Sequence, residues 1–296
     1  MKLSIAMAAR NAEDFIGSAL TSAQTTLSNC NIDWEITLAD GASTDRTLEI
    51  AKRCNRVRVV SRADDGLYDG MNRAIAGADG DFIAILNSDD MLLADGFQDA
   101  VRLVRDTPGV AMVSGAVSCG PSPETAIIQT HQARLSRAGI LFGIPAINGR
   151  IFSRELMDAA GALRTDLGLA ADREWMLRVH AAGGIGRATP LPLYFYREHT
   201  NSRTIAHDAA AALRIYHAEM TLSHALACEH GEDGDLSRLA HGAYALARCK
   251  LSLKERYKAS SPVKGASAHH GLKTGARDLA RGVALWLRWR GRLSGF

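Results

Sequence analysis

The segment FIAILNSDD (Phe82–Asp90) carries five apolar residues into an amide, a hydroxyl and two adjacent carboxylates. Carboxylates ~4–6 Å apart repel unless a cation neutralises them or one takes a proton. Mg²⁺ or Mn²⁺ does the first, and needs only one or two protein carboxylates when substrate phosphates complete its shell. Asp89 and Asp90 therefore suit a metal–diphosphate; on spacing alone they equally suit a turn that starts in water. A further acid, Asp40, closes the apolar run WEITLAD (Trp34–Asp40). Asp172 fits a helix N-cap in AADREWMLRV, with Trp175, Met176 and Val179 on the buried face.

Positioning these acids is the work of alternating elements. KLSIAMA reads as a strand and Asn11–Thr26 as a helix, followed by the strand Trp34–Asp40. STDRTLEIAKRC reads as a helix with Ser43 or Thr44 as N-cap. The strand VRVVS, a helix Gly70–Ala78 and the strand Asp81–Leu86 complete the amino half. Short strands alternating with helices predict a mostly parallel, helix-covered sheet with right-handed crossovers. In open α/β sheets ligands sit outside the carboxyl ends of strands. Asp40 and Asp89–Asp90 should thus face one rim.

The remainder is less regular. Residues 110–118 read as a strand and Pro121–Pro123 as a turn. A strand-like piece and a helix follow in PAINGRIFSRELMDAAGALRTDL, then a helix in LAADREWMLRVHAAGG and a late strand in PLPLYFYREHT. Tyr194–Tyr196 reads as core packing. Ala206–Cys228 and Leu236–Tyr257 read as a helical hairpin, and KASSPVKGASAHHGLKTG as a linker.

LADGASTDRT (Leu38–Thr47) and DDGLYDGMNRAIAGADGDFIAILNSDD (Asp64–Asp90), in that order, resemble glycosyltransferase family 2. The resemblance runs almost continuously from Leu3 to about Leu93, and more weakly through IFSRELMDAAGALRTDLGLAADREWMLRV to YFYREHTNS. It implies a GT-A-type nucleotide-diphospho-sugar transferase fold, with a central mostly parallel mixed sheet flanked by helices and a C-terminal helical extension. It implies an inverting, metal-dependent enzyme that uses Mn²⁺ or Mg²⁺ and moves a sugar from a nucleoside-diphosphate sugar, UDP-linked by preference, to a glycan or lipid-linked acceptor in cell-surface polysaccharide biosynthesis. Ala9, Asp40, Asp64, Asn72, Arg73, Asn87 and Ser88 fall in its donor-binding segments, Asp40 at the base. Asp89 matches the metal ligand, His199 follows the late strand where it could touch metal or diphosphate, and Asp172 matches the catalytic base, with Glu174 as fallback. Asn87 replaces a commoner Asp, which lowers the negative charge available to a cation. IPAINGRIF departs from a His-Gln usual near Ala146–Ile147, which bears on acceptor contacts.

The expected organisation is a GT-A domain over 1–204, with a nucleotide-sugar half (1–110) and an acceptor half (111–204). A helical hairpin (205–258), a linker (259–274) and a basic amphipathic tail helix (275–296) follow. Twelve Lys/Arg against two acids give the stretch from Tyr244 onward +10, leaving −7 on the preceding residues of a chain of net +3. Arg277, Arg281, Arg288 and Arg292 share one helical arc, opposite Leu279, Val283, Trp286 and Leu287. Such a helix suits an anionic membrane surface, or equally the acidic body. Nucleic acid is not expected, because no recognised binding fold accompanies the basic residues.

Five cysteines without CxxC spacing argue for a reducing compartment. MKLSIAMAAR reads as a strand, since its apolar run is too short for a signal peptide. No apolar run approaches ~20 residues. The expected location is the cytoplasm, with the tail at the inner face of the membrane. The rival to an enzyme is a catalytically weak sugar-nucleotide-binding or scaffold protein, favoured by Asn87 and the missing His-Gln. A sugar nucleotidyltransferase is disfavoured, because AMAARNAED contains no Gly.

Overall fold

The computed structural model describes residues 1–130, 135–143, 146–199, 209–229, 235–237, 239–244 and 246–247. They form two compact units: the first from 1–130, 135, 146–166 and 175–198, the second from 136–143, 167–174 and the residues from 199 onward. The basic tail and the linker expected before it lie outside the described residues, as does the hairpin beyond residue 247.

In the first unit, strands β1 (Lys2–Ala9), β2 (Asp33–Asp40), β3 (Val57–Ser61) and β4 (Phe82–Ile85) alternate with helices α1 (Ile16–Ser28), α2 (Thr47–Lys52) and α3 (Leu67–Gly77). Then come β5 (Met91–Leu92), α4 (Ala94–Asp106), β6 (Val110–Gly120), β7 (Ile127–Thr130), β8 (Arg150–Ser153), α6 (Arg154–Ala160) and β9 (Ile185–Arg197). The second unit contains α5 (Arg137–Phe142) and α8 (Ala209–Glu229). Helix α7 (Ala171–Ala182) begins in the second unit and continues in the first.

One nine-stranded sheet runs β3-β2-β1-β4-β8-β6-β9-β5, with β7 on β6. It is mixed. The ladders β3-β2, β2-β1, β1-β4 and β6-β9 are parallel, and β4-β8, β8-β6, β9-β5 and β6-β7 are antiparallel. Central β1 is buried along nearly its whole length, as a strand covered on both faces must be. Helix α1 packs Ile16, Ala19, Leu20, Ala23 and Leu27 into the core on a three-to-four spacing. Helix α4 does the same with Phe97, Ala100, Val101 and Val104.

Register brings the acids to one rim. Ala9 at the end of β1 lies opposite Asp40 at the end of β2, and Ala6 lies opposite Ile85 at the end of β4. Three local expectations change. Helix α1 starts at Ile16, because Asn11 takes a left-handed conformation (φ 49°) and residues 11–15 belong to a loop. Helix α2 starts at Thr47, so neither Ser43 nor Thr44 caps it. Asp172 lies inside the first turn of α7 rather than at its N-cap.

Candidate active site

The loops after β1 and β2 are laced together by short polar side chains. Asn11 donates its backbone N–H to the Ser43 hydroxyl at 2.9 Å, and its side-chain oxygen accepts the Thr44 N–H at 2.9 Å. The Thr47 hydroxyl accepts the Ala12 N–H at 2.7 Å, and Asp45 accepts the N–H groups of Glu13 and Thr47 at 3.0 and 2.9 Å. These residues hold the rim rigid where irregular backbone would otherwise leave donors unsatisfied.

Asp40 sits beneath this lacing, fully buried. Its carboxylate accepts the Ser43 N–H at 3.1 Å, the Ser43 hydroxyl at 2.5 Å and the Ser61 hydroxyl at 2.6 Å. Ala9 is buried beside it, and its carbonyl accepts the Gly41 N–H at 2.8 Å. The glycine after Asp40 has a physical reason: a Cβ at Gly41 would lie 2.2 Å from Asp64 Oδ2.

Asp64, 7% exposed, lies between two guanidinium groups, 3.8 Å from Arg73 and 4.0 Å from Arg10. Arg73 also donates to Asp69 at 2.7 Å and to the Arg62 carbonyl at 3.2 Å, and its Nε is buried without a partner. Asn72 turns the other way. Its amide donates to the Leu163 carbonyl at 2.8 Å and accepts the Leu163 N–H at 2.9 Å, tying α3 to the loop after α6.

The doubled carboxylate resolves into two roles. Asp90 is 1% exposed and bonded on every side. It accepts the Tyr194 hydroxyl at 2.6 Å, the Asn87 amide at 2.9 Å and the Arg197 N–H at 2.8 Å. Burial first, and the neighbouring Asp89 charge second, push its carboxyl up to about 7. Asp89 is half-buried, and its backbone carbonyl accepts Arg197 Nε at 2.9 Å. Asp90 thus anchors the turn to β9, and the turn presents Asp89. Ser88 is half-buried on the same turn. Asn87 Oδ1 is buried without a hydrogen-bond partner.

That orphaned oxygen and the Asp89 carboxylate are hard donors, which suit Mg²⁺ or Mn²⁺. Among the described residues no group of three or more His, Cys, Asp or Glu side chains could hold an ion. Two such donors suit a cation that takes the rest of its shell from phosphate and water. In the second unit, Asp172 and Glu174 occupy the first turn of α7 and are half-buried, as is His199, two residues beyond β9.

Sequence reading missed Ser61, Gly41, Arg10 and Tyr194 as parts of this site, and it placed Asp90 at the rim without its role as an anchor. Arg10 and Gly41 adjoin predicted site residues. Tyr194 carries no local signal: it is buried in the core as expected, yet its hydroxyl also accepts the Asn87 N–H at 3.2 Å. Burial and the Asp90 charge push that phenol well above its usual range, so it remains a donor. Tyr194→Phe is expected to lower stability by about 1–3 kcal/mol, the cost of leaving Asp90 short of a donor and the Asn87 N–H short of an acceptor. Chemical denaturation of the two proteins measures it.

The chain is similar to known proteins in sequence and in fold. EpsH of Bacillus subtilis (strain 168), which bears a glycosyltransferase name, is 29% identical over 216 residues. That alignment covers 68% of this chain and 62% of EpsH, so the chain spans less than two thirds of that relative. Staphylococcus aureus TarS 1–349, solved with UDP-GlcNAc, superposes with a TM-score of 0.64 at 15% identity, covering 96% of this chain and 79% of that one. The mannosyltransferase PcManGT of Pyrobaculum calidifontis, solved with GDP-Man and Mn²⁺, gives 0.58 at 19% identity, covering 98% and 83%. Both share the GT-A fold that the mixed sheet builds here. The profile of glycosyl transferase family 2 matches residues 4–158, the stretch that carries the rim from β1 to α6, and the chain belongs to that family.

Proposed function

We propose that this protein is an inverting, metal-dependent glycosyltransferase. It moves a sugar from a nucleoside-diphosphate sugar, UDP-linked by preference, to a glycan or lipid-linked acceptor in cell-surface polysaccharide assembly. One observation carries this reading: Asp40, Asp64 and the Asn87–Asp89 turn share the carboxyl rim of one sheet, and a partnerless amide oxygen is buried in that turn. The nucleotide sugars bound by TarS and PcManGT, and the Mn²⁺ of the latter, support the donor class and the cation.

In the reaction, the acceptor oxygen attacks the anomeric carbon from the face opposite the diphosphate. The bond to the diphosphate oxygen breaks with its electron pair, and Asp172 takes the acceptor proton as the new bond forms. A divalent cation held by Asp89, with Asn87 and His199 completing the protein's share, would supply neutralisation of the charge growing on the departing diphosphate. Asp40, Asp64, Arg73, Ala9 and Ser88 hold the nucleotide, with Arg73 as the cation nearest Asp64. Asn72 serves this set through the Leu163 loop that it fastens.

A screen of nucleotide sugars with Mn²⁺, read by nucleotide release, tests the proposal. At least one donor is expected to turn over. EDTA is expected to reduce that rate by at least about 100-fold, with full recovery on adding Mn²⁺ back. A rate indifferent to EDTA would remove the metal from the proposal.

The rival is a sugar-nucleotide-binding scaffold. The full engagement of Asp40 by three protein donors favours it. Saturable UDP binding with no turnover across donors and acceptors would decide for it. The division into a GT-A domain, hairpin, linker and tail belongs to the same proposal, as does contact with anionic membranes through residues 275–296, which their charge pattern supports. No helix among the described residues is long and apolar enough to cross a membrane.

A further inference from the structure

The first turn of α7 carries Asp172, and the next residue is among the most deeply buried cations of the described residues. Arg173 is 6% exposed. Its guanidinium donates to the Ile140 carbonyl of α5 and, at 2.6 Å, to Glu219 Oε1 of α8. The Glu219 side chain is itself only 19% exposed. A buried guanidinium is costly unless it is both paired and hydrogen-bonded, and removing one partner of such a pair leaves an uncompensated charge. Two neighbouring elements meet that need here, α5 with a carbonyl and α8 with a carboxylate. The bidentate character of arginine makes the tie directional as well as attractive.

Helix α7 is held at this end by Arg173. Its later anchors lie farther along: Trp175 Nε1 donates to the Gly161 carbonyl at 2.7 Å, and Arg178 donates to the Ala162 carbonyl at 2.7 Å. The Arg173–Glu219 pair thus ties down the turn that holds Asp172. Helix ends fray unless tied by side chains. A base displaced by an ångström loses about 100-fold in rate.

We propose that Glu219 is a positioning residue for Asp172: through Arg173 it fixes the first turn of α7, and α8 thereby becomes part of the catalytic apparatus. This rests on Asp172 being the base. A role in stability alone would lower the melting temperature without distinguishing turnover from binding. A positioning role acts on kcat and only when Asp172 is present.

The test uses the full chain and the donor found by the nucleotide-release screen. Glu219→Ala is expected to lower kcat about 10–100-fold, while donor KM and UDP affinity stay within about twofold. Glu219→Gln keeps an oxygen acceptor for Arg173 and is expected to recover kcat to within about threefold of the parent. In an Asp172→Asn background, Glu219→Ala is expected to add less than about a twofold loss, since both changes act on one step. Equal losses in both backgrounds would overturn the role of Glu219 and leave Asp172 as the base. Parental turnover in Asp172→Asn would overturn the base assignment, and the positioning role with it. If Glu219→Ala does not fold, Glu219→Asp serves, with an arm one methylene shorter; its kcat is expected to fall about 3–30-fold, and an unchanged kcat overturns the proposal.

Discussion

Asp89→Ala is expected to lower kcat/KM by about 1,000-fold or more while leaving the fold intact. Removing one group that stabilises charge developing in a transition state costs about 3–4 kcal/mol, and a ligand to the neutralising cation stands at the upper end. The change is separable from folding because the backbone contact that Asp89 makes survives it. The carbonyl that accepts Arg197 Nε is untouched by alanine, and the side chain is only half-buried. Asp90 is the opposite case, with three hydrogen bonds converging on its buried carboxylate. Losing Asp89 also removes one of the two causes that push the Asp90 carboxyl up, so the anchor to β9 is relieved of repulsion. Nucleotide release, with circular-dichroism melts of parent and variant, checks both halves. Parental turnover in Asp89→Ala would refute the metal role.

What the sequence made legible is what repeats locally. The apolar runs at Leu3–Ala9 and Ile83–Leu86 announce buried strands, and the rule that ligands sit at strand carboxyl ends brings Asp40 and Asp89 to one rim without coordinates. Helix α4 was equally legible in Phe97, Ala100, Val101 and Val104, an i, i+3, i+4, i+7 pattern that the sequence reading passed over. Other features were not legible, because their causes are distant in sequence. Asp90 is an anchor only because Tyr194 and Arg197, more than a hundred residues on, converge on it. Ser43 resembles a helix cap until Asp40 is seen to claim its hydroxyl. Asn72 resembles a ligand group until Leu163, ninety-one residues later, takes both ends of its amide. Short edge elements such as β5 and β7 have too few residues to show a period, and pairing with β9 and β6 defines them.

Asp172→Asn is expected to lower kcat about 100–10,000-fold with donor KM nearly unchanged, the signature of a general base lost without loss of binding. Asparagine has the same shape and keeps a carbonyl oxygen in the first turn of α7, so the helix survives. It gives up only the ~0.3–1 kcal/mol that a charge gains at a helix amino end. Glu174 occupies the same turn and is equally half-buried. Successive residues on a helix are 100° apart, so positions two apart face opposite ways and cannot serve one acceptor hydroxyl interchangeably. Glu174→Gln is therefore expected to keep kcat within about threefold of the parent. Initial rates at saturating donor for the two isosteric variants decide the assignment. A large loss in Glu174→Gln with full turnover in Asp172→Asn would move the base two residues along and would release Glu219 from the role argued for it.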